Sequence, residues 1–199
     1  MGTSGEIQHR AEELDCACAI PDLITPEEKA KFFEIYQWLR ENYVMQKQYK
    51  SHGEFGTEGS YIKYGIELSG CWSGWRSEDR AFALNVANRY NFNRPNPSTV
   101  QILYLPAGYE GTRHIDTYPA RRCVISVPLS VTDNQPLNFY ESCTSEEPLV
   151  SLCYDGPTLL NIEQKWHQIP ASSKDRVLLQ IPFGEIYQDA KKQLLAMLG

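Results

Sequence analysis

The side chains best suited to chemistry are His114, Asp116, His167 and Arg176, set around two long apolar stretches. In extended backbone, residues i and i+2 point to the same face, so His114-Ile115-Asp116 can present an imidazole and a carboxylate side by side. His167 can add a second imidazole. Two histidines and one carboxylate on one side of a cation suit non-haem Fe(II), because positions stay open for substrate and oxygen. Arg176 offers a planar guanidinium that can grip a carboxylate through two parallel hydrogen bonds. The remaining two of the four histidines, His9 and His52, lie in a polar tail and a glycine-rich stretch and compete poorly as ligands. A His-x-Asp triplet alone is a weak signal, and its weight comes from the segments around it.

Those segments read as short strands. Residues 101–106, 122–129, 158–162 and 176–181 are apolar runs bounded by Gly, Pro, Asn and Asp. From residue 98 to 183 such runs alternate with turns, the pattern of a sandwich or small barrel. Pro128 inside one run suggests a bulge or an edge position. Thr25-Pro26-Glu27-Glu28 opens a helix over 25–43, with a capping box between Thr25 and Glu28 and Pro26 at the first helical position. Phe32, Ile35, Tyr36, Leu39 and Tyr43 recur at helical spacing and form its core-facing stripe. Further helices are expected at about 77–90 and 185–198, the latter carrying Ile186, Ala190, Leu194 and Met197. Residues 1–18 read as a flexible N-terminal tail and 19–199 as a single domain. Between Ser51 and Arg76, glycines alternate with Tyr61, Tyr64, Trp72 and Trp75, which fits either a surface hairpin or a mobile lid.

Composition narrows the function classes. A chain of 199 residues, 42% apolar and 22% charged, is ordinary for a soluble globular protein. A net charge of −6 argues against a sequence-independent grip on nucleic acid. No apolar run approaches the roughly 18 residues of a membrane span. The polar stretch from Met1 to Asp15 lacks the apolar region of a secretory signal, so a cytoplasmic location is expected, with the six cysteines as reduced thiols. Cys16-Ala17-Cys18 is too tight for a zinc knuckle.

Read together, these residues resemble the Fe(II)- and 2-oxoglutarate-dependent dioxygenases, in their prolyl-hydroxylase-like branch. The likeness is carried by Tyr104-Leu105-Pro106-Ala107-Gly108-Tyr109-Glu110-Gly111-Thr112-Arg113-His114-Ile115-Asp116 and by Arg122-Cys123-Val124. The helix at 25–43, introduced by Ile20-Pro21-Asp22-Leu23-Ile24, is similar to the family's N-terminal helix. The resemblance implies a mainly β fold with flanking helices, built on a double-stranded β-helix (jelly-roll, cupin-like) core at about 98–183. It implies that His114, Asp116 and His167 are the catalytic iron ligands, that Arg176 binds the distal carboxylate of 2-oxoglutarate, and that Tyr104 adds a hydrogen bond there. The implied reaction consumes O2 and 2-oxoglutarate, releases succinate and carbon dioxide, and hydroxylates an unactivated C–H of an amino acid, free or in a peptide or protein. No nucleic-acid or membrane partner is implied, and no oligomeric state.

Two departures from the branch stand out. Leu129 occupies the place of a second tyrosine, and Leu178 that of a Ser or Thr two residues after the arginine. Asn161, Thr158 and Ser126 are the candidates to supply the missing hydrogen bonds. Arg122 can contact substrate or neutralise nearby acid, and Tyr118 and Trp166, which flank ligands, can shape the pocket or simply pack. Substrate recognition falls to the stretches at 45–76 and 133–150. A zinc hydrolase or iron isomerase on a barrel is a competing reading, although the helical H-E-x-x-H of many zinc hydrolases is absent. A non-catalytic sensor of metal or 2-oxoglutarate is the other, and the complete triad with Arg176 argues against it. Asp116 disfavours halogenation, which needs that carboxylate removed.

Overall fold

The computed structural model describes residues 4–42, 62–67, 75–90, 99–130 and 136–198. In chain order the elements are α1 (Ser4–Glu13), β1 (Ala17–Ala19), α2 (Pro26–Asn42), β2 (Ile62–Glu67), α3 (Ser77–Asn88), β3 (Thr99–Leu105), β4 (Cys123–Pro128), β5 (Leu137–Tyr140), β6 (Val150–Leu152), β7 (Thr158–Leu160), β8 (Trp166–Gln168), β9 (Arg176–Phe183) and α4 (Tyr187–Leu198). They form two antiparallel sheets, a six-stranded one ordered β1-β7-β4-β9-β3-β2 and a three-stranded one ordered β6-β5-β8. The fold is therefore mainly β with flanking helices, as expected.

The capping box forms as read. Thr25 N–H donates to Glu28 Oε2 at 3.0 Å, and Glu28 N–H donates to Thr25 Oγ1 at 3.2 Å. The buried stripe of α2 is Phe32, Ile35, Tyr36 and Leu39. Tyr43, expected to continue it, lies outside the described residues.

Register assigns the two faces of the larger sheet. Directly opposed residues share a face, so Gln101, Gln180, Ser126 and Thr158 stand together, and so do Leu105 and Arg176. This inner face also carries Leu103, Val124, Leu160 and Leu178. The outer face carries Ile102, Cys123, Ile125, Val127, Leu159, Leu179, Ile181 and Phe183, which pack with the buried sides of α2, α3 and α4 in one apolar core. A second core joins Val124 and Leu160 to Leu137, Phe139, Val150 and Leu152 of the smaller sheet. Helix-side and inter-sheet layers are thus separate.

Several expectations need correction. The segment expected over 1–18 as a flexible tail carries regular structure: α1 packs Ala11 into the inter-sheet core, and β1 extends the larger sheet by pairing with β7. The physical reason is that Ala11, Cys16, Ala17 and Cys18 are small enough to be fully buried, so the segment gains apolar burial despite its polar composition. His114-Ile115-Asp116 is not a strand but an irregular segment touching the smaller sheet by one bridge. Of the Ser51–Arg76 stretch, 62–67 form an edge strand on β3, and the rest of the expected lid up to residue 74 lies outside the described residues. Within 133–150, residues 137–140 are a strand, and 133–135 lie outside the described residues. The described cysteines are free thiols, with Cys16, Cys18 and Cys123 buried. No helix among the described residues is long and apolar enough to cross a membrane.

Candidate metal centre

The chain between β3 and β4 reaches the site by being stitched to the chain between β7 and β9. Gly108, with φ of 81°, turns the backbone after Pro106, a conformation that strains any residue with a Cβ. Gly111 N–H then donates to Ile169 O at 2.8 Å, and Asp116 N–H to Ile162 O at 2.8 Å. Between these, His114 and His167 exchange both backbone hydrogen bonds, at 3.0 and 2.9 Å. The exchange sets the two imidazoles side by side, with ring centroids 4.4 Å apart.

Asp116 completes the cluster: the ligand atoms of His114, Asp116 and His167 lie within 4.8 Å of one another. Each ring Nδ1 meets the carbonyl two residues before it, Thr112 O at 2.7 Å for His114 and Lys165 O at 3.1 Å for His167. A carbonyl only accepts, so each Nδ1 donates, and Nε2 is the ring nitrogen available to a cation. Burial, with His114 alongside, pushes the His167 pKa down to about 4, so this ring is neutral at physiological pH, the form that ligates metals. Burial alone would raise the Asp116 pKa, but Arg121 and the two histidines outweigh it and hold the carboxyl below its usual range. The donor set therefore fits a divalent cation: two oriented imidazoles and one carboxylate. Among the described residues no further His, Cys, Asp or Glu joins them, so the set differs from the four-ligand shell of structural zinc.

Arg176 opens β9 on the inner face and is buried. Its Nη2 donates to Pro136 O at 3.2 Å, at the start of β5. Burial lowers its pKa, against the opposing pull of Tyr154 and Cys153. In the pairing of β5 with β6, Leu137 opposes Leu152, which brings the residues just beyond, Pro136 and Cys153, to the same end of the smaller sheet. Tyr154 shares a hydrogen bond of 2.8 Å with Ser126 Oγ. Of the three residues expected to supply hydrogen bonds near Arg176, Ser126 is thus linked to its neighbourhood, whereas Thr158 donates to Gly156 O and Asn161 to Asp15 O.

Other expected residues stand elsewhere. Tyr104 opposes Val177, which puts it on the face opposite to Arg176. Its hydroxyl donates to Asp175 Oδ2 at 2.8 Å, and its ring lies near Tyr36 and under the Arg40 guanidinium. The expected hydrogen bond beside Arg176 is corrected accordingly, since the pleat turns alternate residues to opposite faces. Leu129, in the place of the branch's second tyrosine, belongs to the helix-side core. Arg122 is paired with Glu163, Nε to Oε2 at 2.8 Å. Tyr118 is 68% exposed. Trp166 opposes Tyr140, and as the neighbour of His167 in β8 it points to the other face of the smaller sheet.

Sequence reasoning missed Arg121, which forms the ion pair with Asp116, and Tyr154. A signal for Arg121 was present. Tyr118-Pro119-Ala120-Arg121 is a β-turn with proline at its favoured second position, closed by Arg121 N–H to Tyr118 O at 2.8 Å. The turn folds the arginine back over Asp116.

No family model and no curated protein matches this chain in sequence. Solved structures do match in shape. An oxidoreductase of the 2OG-Fe(II) oxygenase family from Burkholderia pseudomallei superposes with a TM-score of 0.57 at 10% identity, covering 92% of each chain. A Pseudomonas putida prolyl-4-hydroxylase gives 0.55 at 12% identity, covering 89% of this chain and 97% of that one. A Trichoplax adhaerens prolyl hydroxylase, in complex with a hypoxia inducible factor oxygen degradation domain peptide fragment, gives 0.56 at 12% identity over 97% of both. This chain has the fold of the 2OG-Fe(II) oxygenases and prolyl hydroxylases. The resemblance read from the motif is met at the level of fold.

Proposed function

We propose that this chain is an Fe(II)- and 2-oxoglutarate-dependent oxygenase that hydroxylates an unactivated C–H of an amino acid, free or within a peptide. In this reading the two sheets are the halves of a double-stranded β-helix, and the oxygenase domain expected from residue 19 begins earlier, taking in α1 and β1. The observation that carries it is the convergence of His114, Asp116 and His167 within 4.8 Å, with both Nδ1 atoms tied back to carbonyls.

A loaded centre of this kind couples decarboxylation of 2-oxoglutarate to succinate and carbon dioxide with transfer of one oxygen atom from O2 into a C–H bond. The chain's own residues do the rest. His114 and His167 would hold the cation as neutral donors, and Asp116 would offset part of its charge. Arg176 would take the far carboxylate, because a buried guanidinium gains most from an anionic partner. Position supports that role. His167 opposes Phe139 on β5, while Arg176 binds Pro136 just before β5 begins. Three residue steps along the chain separate those points, roughly 10 Å, a span suited to a short dicarboxylate lying between metal and guanidinium. Tyr154, bonded to Ser126, would supply the hydroxyl that Leu129 and Leu178 lack. Leu103, Leu105, Leu178 and Phe139 give the inter-sheet space its apolar walls and limit entry of water.

The test is an anaerobic titration with Fe(II) and 2-oxoglutarate, followed by a succinate-release screen over amino acids and peptides. The peptide held by the Trichoplax adhaerens neighbour supports including peptides. A visible charge-transfer band together with substrate-dependent succinate is the expected result. Binding of both ligands without succinate from any candidate would favour a sensor, and failure to bind iron would reject the reading.

A further inference from the structure

Arg121 holds a position that the proposed reaction does not by itself require. All three nitrogens of its guanidinium are engaged: Nε with Asp116 Oδ2 at 3.1 Å, Nη1 with Gln101 Oε1 at 3.0 Å and Nη2 with Gln180 Oε1 at 2.9 Å. Gln101 and Gln180 are directly opposed on β3 and β9, and only 4% and 6% exposed. Packing alone would be served better by an apolar pair, since buried amides cost free energy unless bonded. Here both amide oxygens are spent on one guanidinium.

The contrast in backbone matters. Asp116 sits in an irregular connection, whereas the two glutamines stand on adjacent strands of the larger sheet. The β-turn at Tyr118–Arg121 brings the guanidinium between them. The carboxylate is therefore referenced to the sheet through Arg121, and one of its oxygens, Oδ2, is already committed. We propose that Arg121 is a positioning residue of the metal centre: mounted on Gln101 and Gln180, it holds Asp116 by Oδ2 so that Oδ1 alone is offered to the cation. The inference rests on the metal-centre reading above.

Co(II) titration of the full chain, followed by visible absorption, tests it without oxygen chemistry. Arg121→Ala is expected to weaken Co(II) binding roughly 10–100-fold, the range seen when an outer partner of a metal ligand is lost. Arg121→Lys keeps the charge but cannot span three acceptors, so affinity should recover only in part. At saturating metal its Co(II) ligand-field bands should also differ from those of the native chain, since the freed carboxylate can bind through both oxygens. Those bands report coordination, which a purely structural role would leave unmoved. Should Arg121→Ala fail to fold, Arg121→Lys carries the test. If every folded Arg121 variant binds Co(II) within about threefold of native, with unchanged bands, while His167→Ala loses binding, this inference falls and the metal centre stands. If His167→Ala binds Co(II) like the native chain, the metal centre itself is wrong and the inference goes with it.

Discussion

The two faces of the larger sheet are built from the same strands and differ by one residue of offset. On the outer face, Ile102, Ile125, Leu159, Leu179, Ile181 and Phe183 pack with three helices in one apolar core. On the inner face, register lines up Gln101, Gln180, Ser126 and Thr158 across four neighbouring strands, in a row between apolar neighbours. Both faces are buried, so burial does not separate them. What separates them is that three of the four inner polar side chains bond to residues at the proposed site, Arg121 for the glutamines and Tyr154 for Ser126, while Thr158 donates to Gly156 O. One face secures the fold, and the other meets the residues of the proposed site.

Substitutions on each face should therefore fail in different ways. The largest effect is expected at His167, where replacement by Ala should abolish Fe(II) binding and turnover while leaving a folded chain. Full iron occupancy in that variant, measured by metal analysis after desalting, would break the comparison at its centre. Next comes Arg176→Ala, which should raise the 2-oxoglutarate requirement by roughly 2–5 kcal/mol in binding, since a buried carboxylate loses its partner. Iron affinity should stay nearly constant, and an unchanged 2-oxoglutarate titration would hand the role to another cation. On the outer face, Ile181→Ala should lower stability by about 2–5 kcal/mol in a denaturant melt. Its folded fraction should still bind Co(II) with native affinity, so a loss of affinity there would show that the faces are not independent. The smallest effect is expected from Tyr154→Phe, which removes the bond to Ser126 and should cost about 1 kcal/mol. That cost should fall on 2-oxoglutarate binding with Co(II) affinity untouched, and a matching loss in metal affinity would extend the metal centre as far as Tyr154.

Much of this was legible in the sequence. The apolar runs at 101–106, 122–129, 158–162 and 176–181 became β3, β4, β7 and β9, and the Thr25–Glu28 capping box formed as read. His114, Asp116 and His167 are brought together as their residue types suggested. The smaller sheet was harder, because β6 and β8 have three residues each, too few to display a period. Tyr104 was misplaced by parity. Its identity suits a hydroxyl near Arg176, but the pairing of β3 with β9 sets Leu105, not Tyr104, opposite that arginine. A one-residue difference in register reverses every side chain of a strand, and no single strand states its register. The two adjacent arginines show the same limit. Arg122 stands out in sequence because it opens an apolar run, while the turn ending at Arg121 selects the residue that reaches Asp116.

The N-terminal strand has a consequence for handling the protein. β7 is three residues long, with β4 on one side and β1 on the other. A chain trimmed at residue 19 would lose most of β1 and all of α1, leaving a row of unpaired N–H and C=O groups along β7. Such an open edge invites strand addition from another molecule, and so aggregation. The same cut removes Asp15 O and Cys16 O, which accept from Asn161 Nδ2 and Asn161 N–H at 2.9 Å each. Asn161 also caps the turn through Gln164 that delivers His167. β1 and the residues just ahead of it thus act as a selvedge, covering the edge of β7 and holding Asn161 at the start of the turn toward the second histidine.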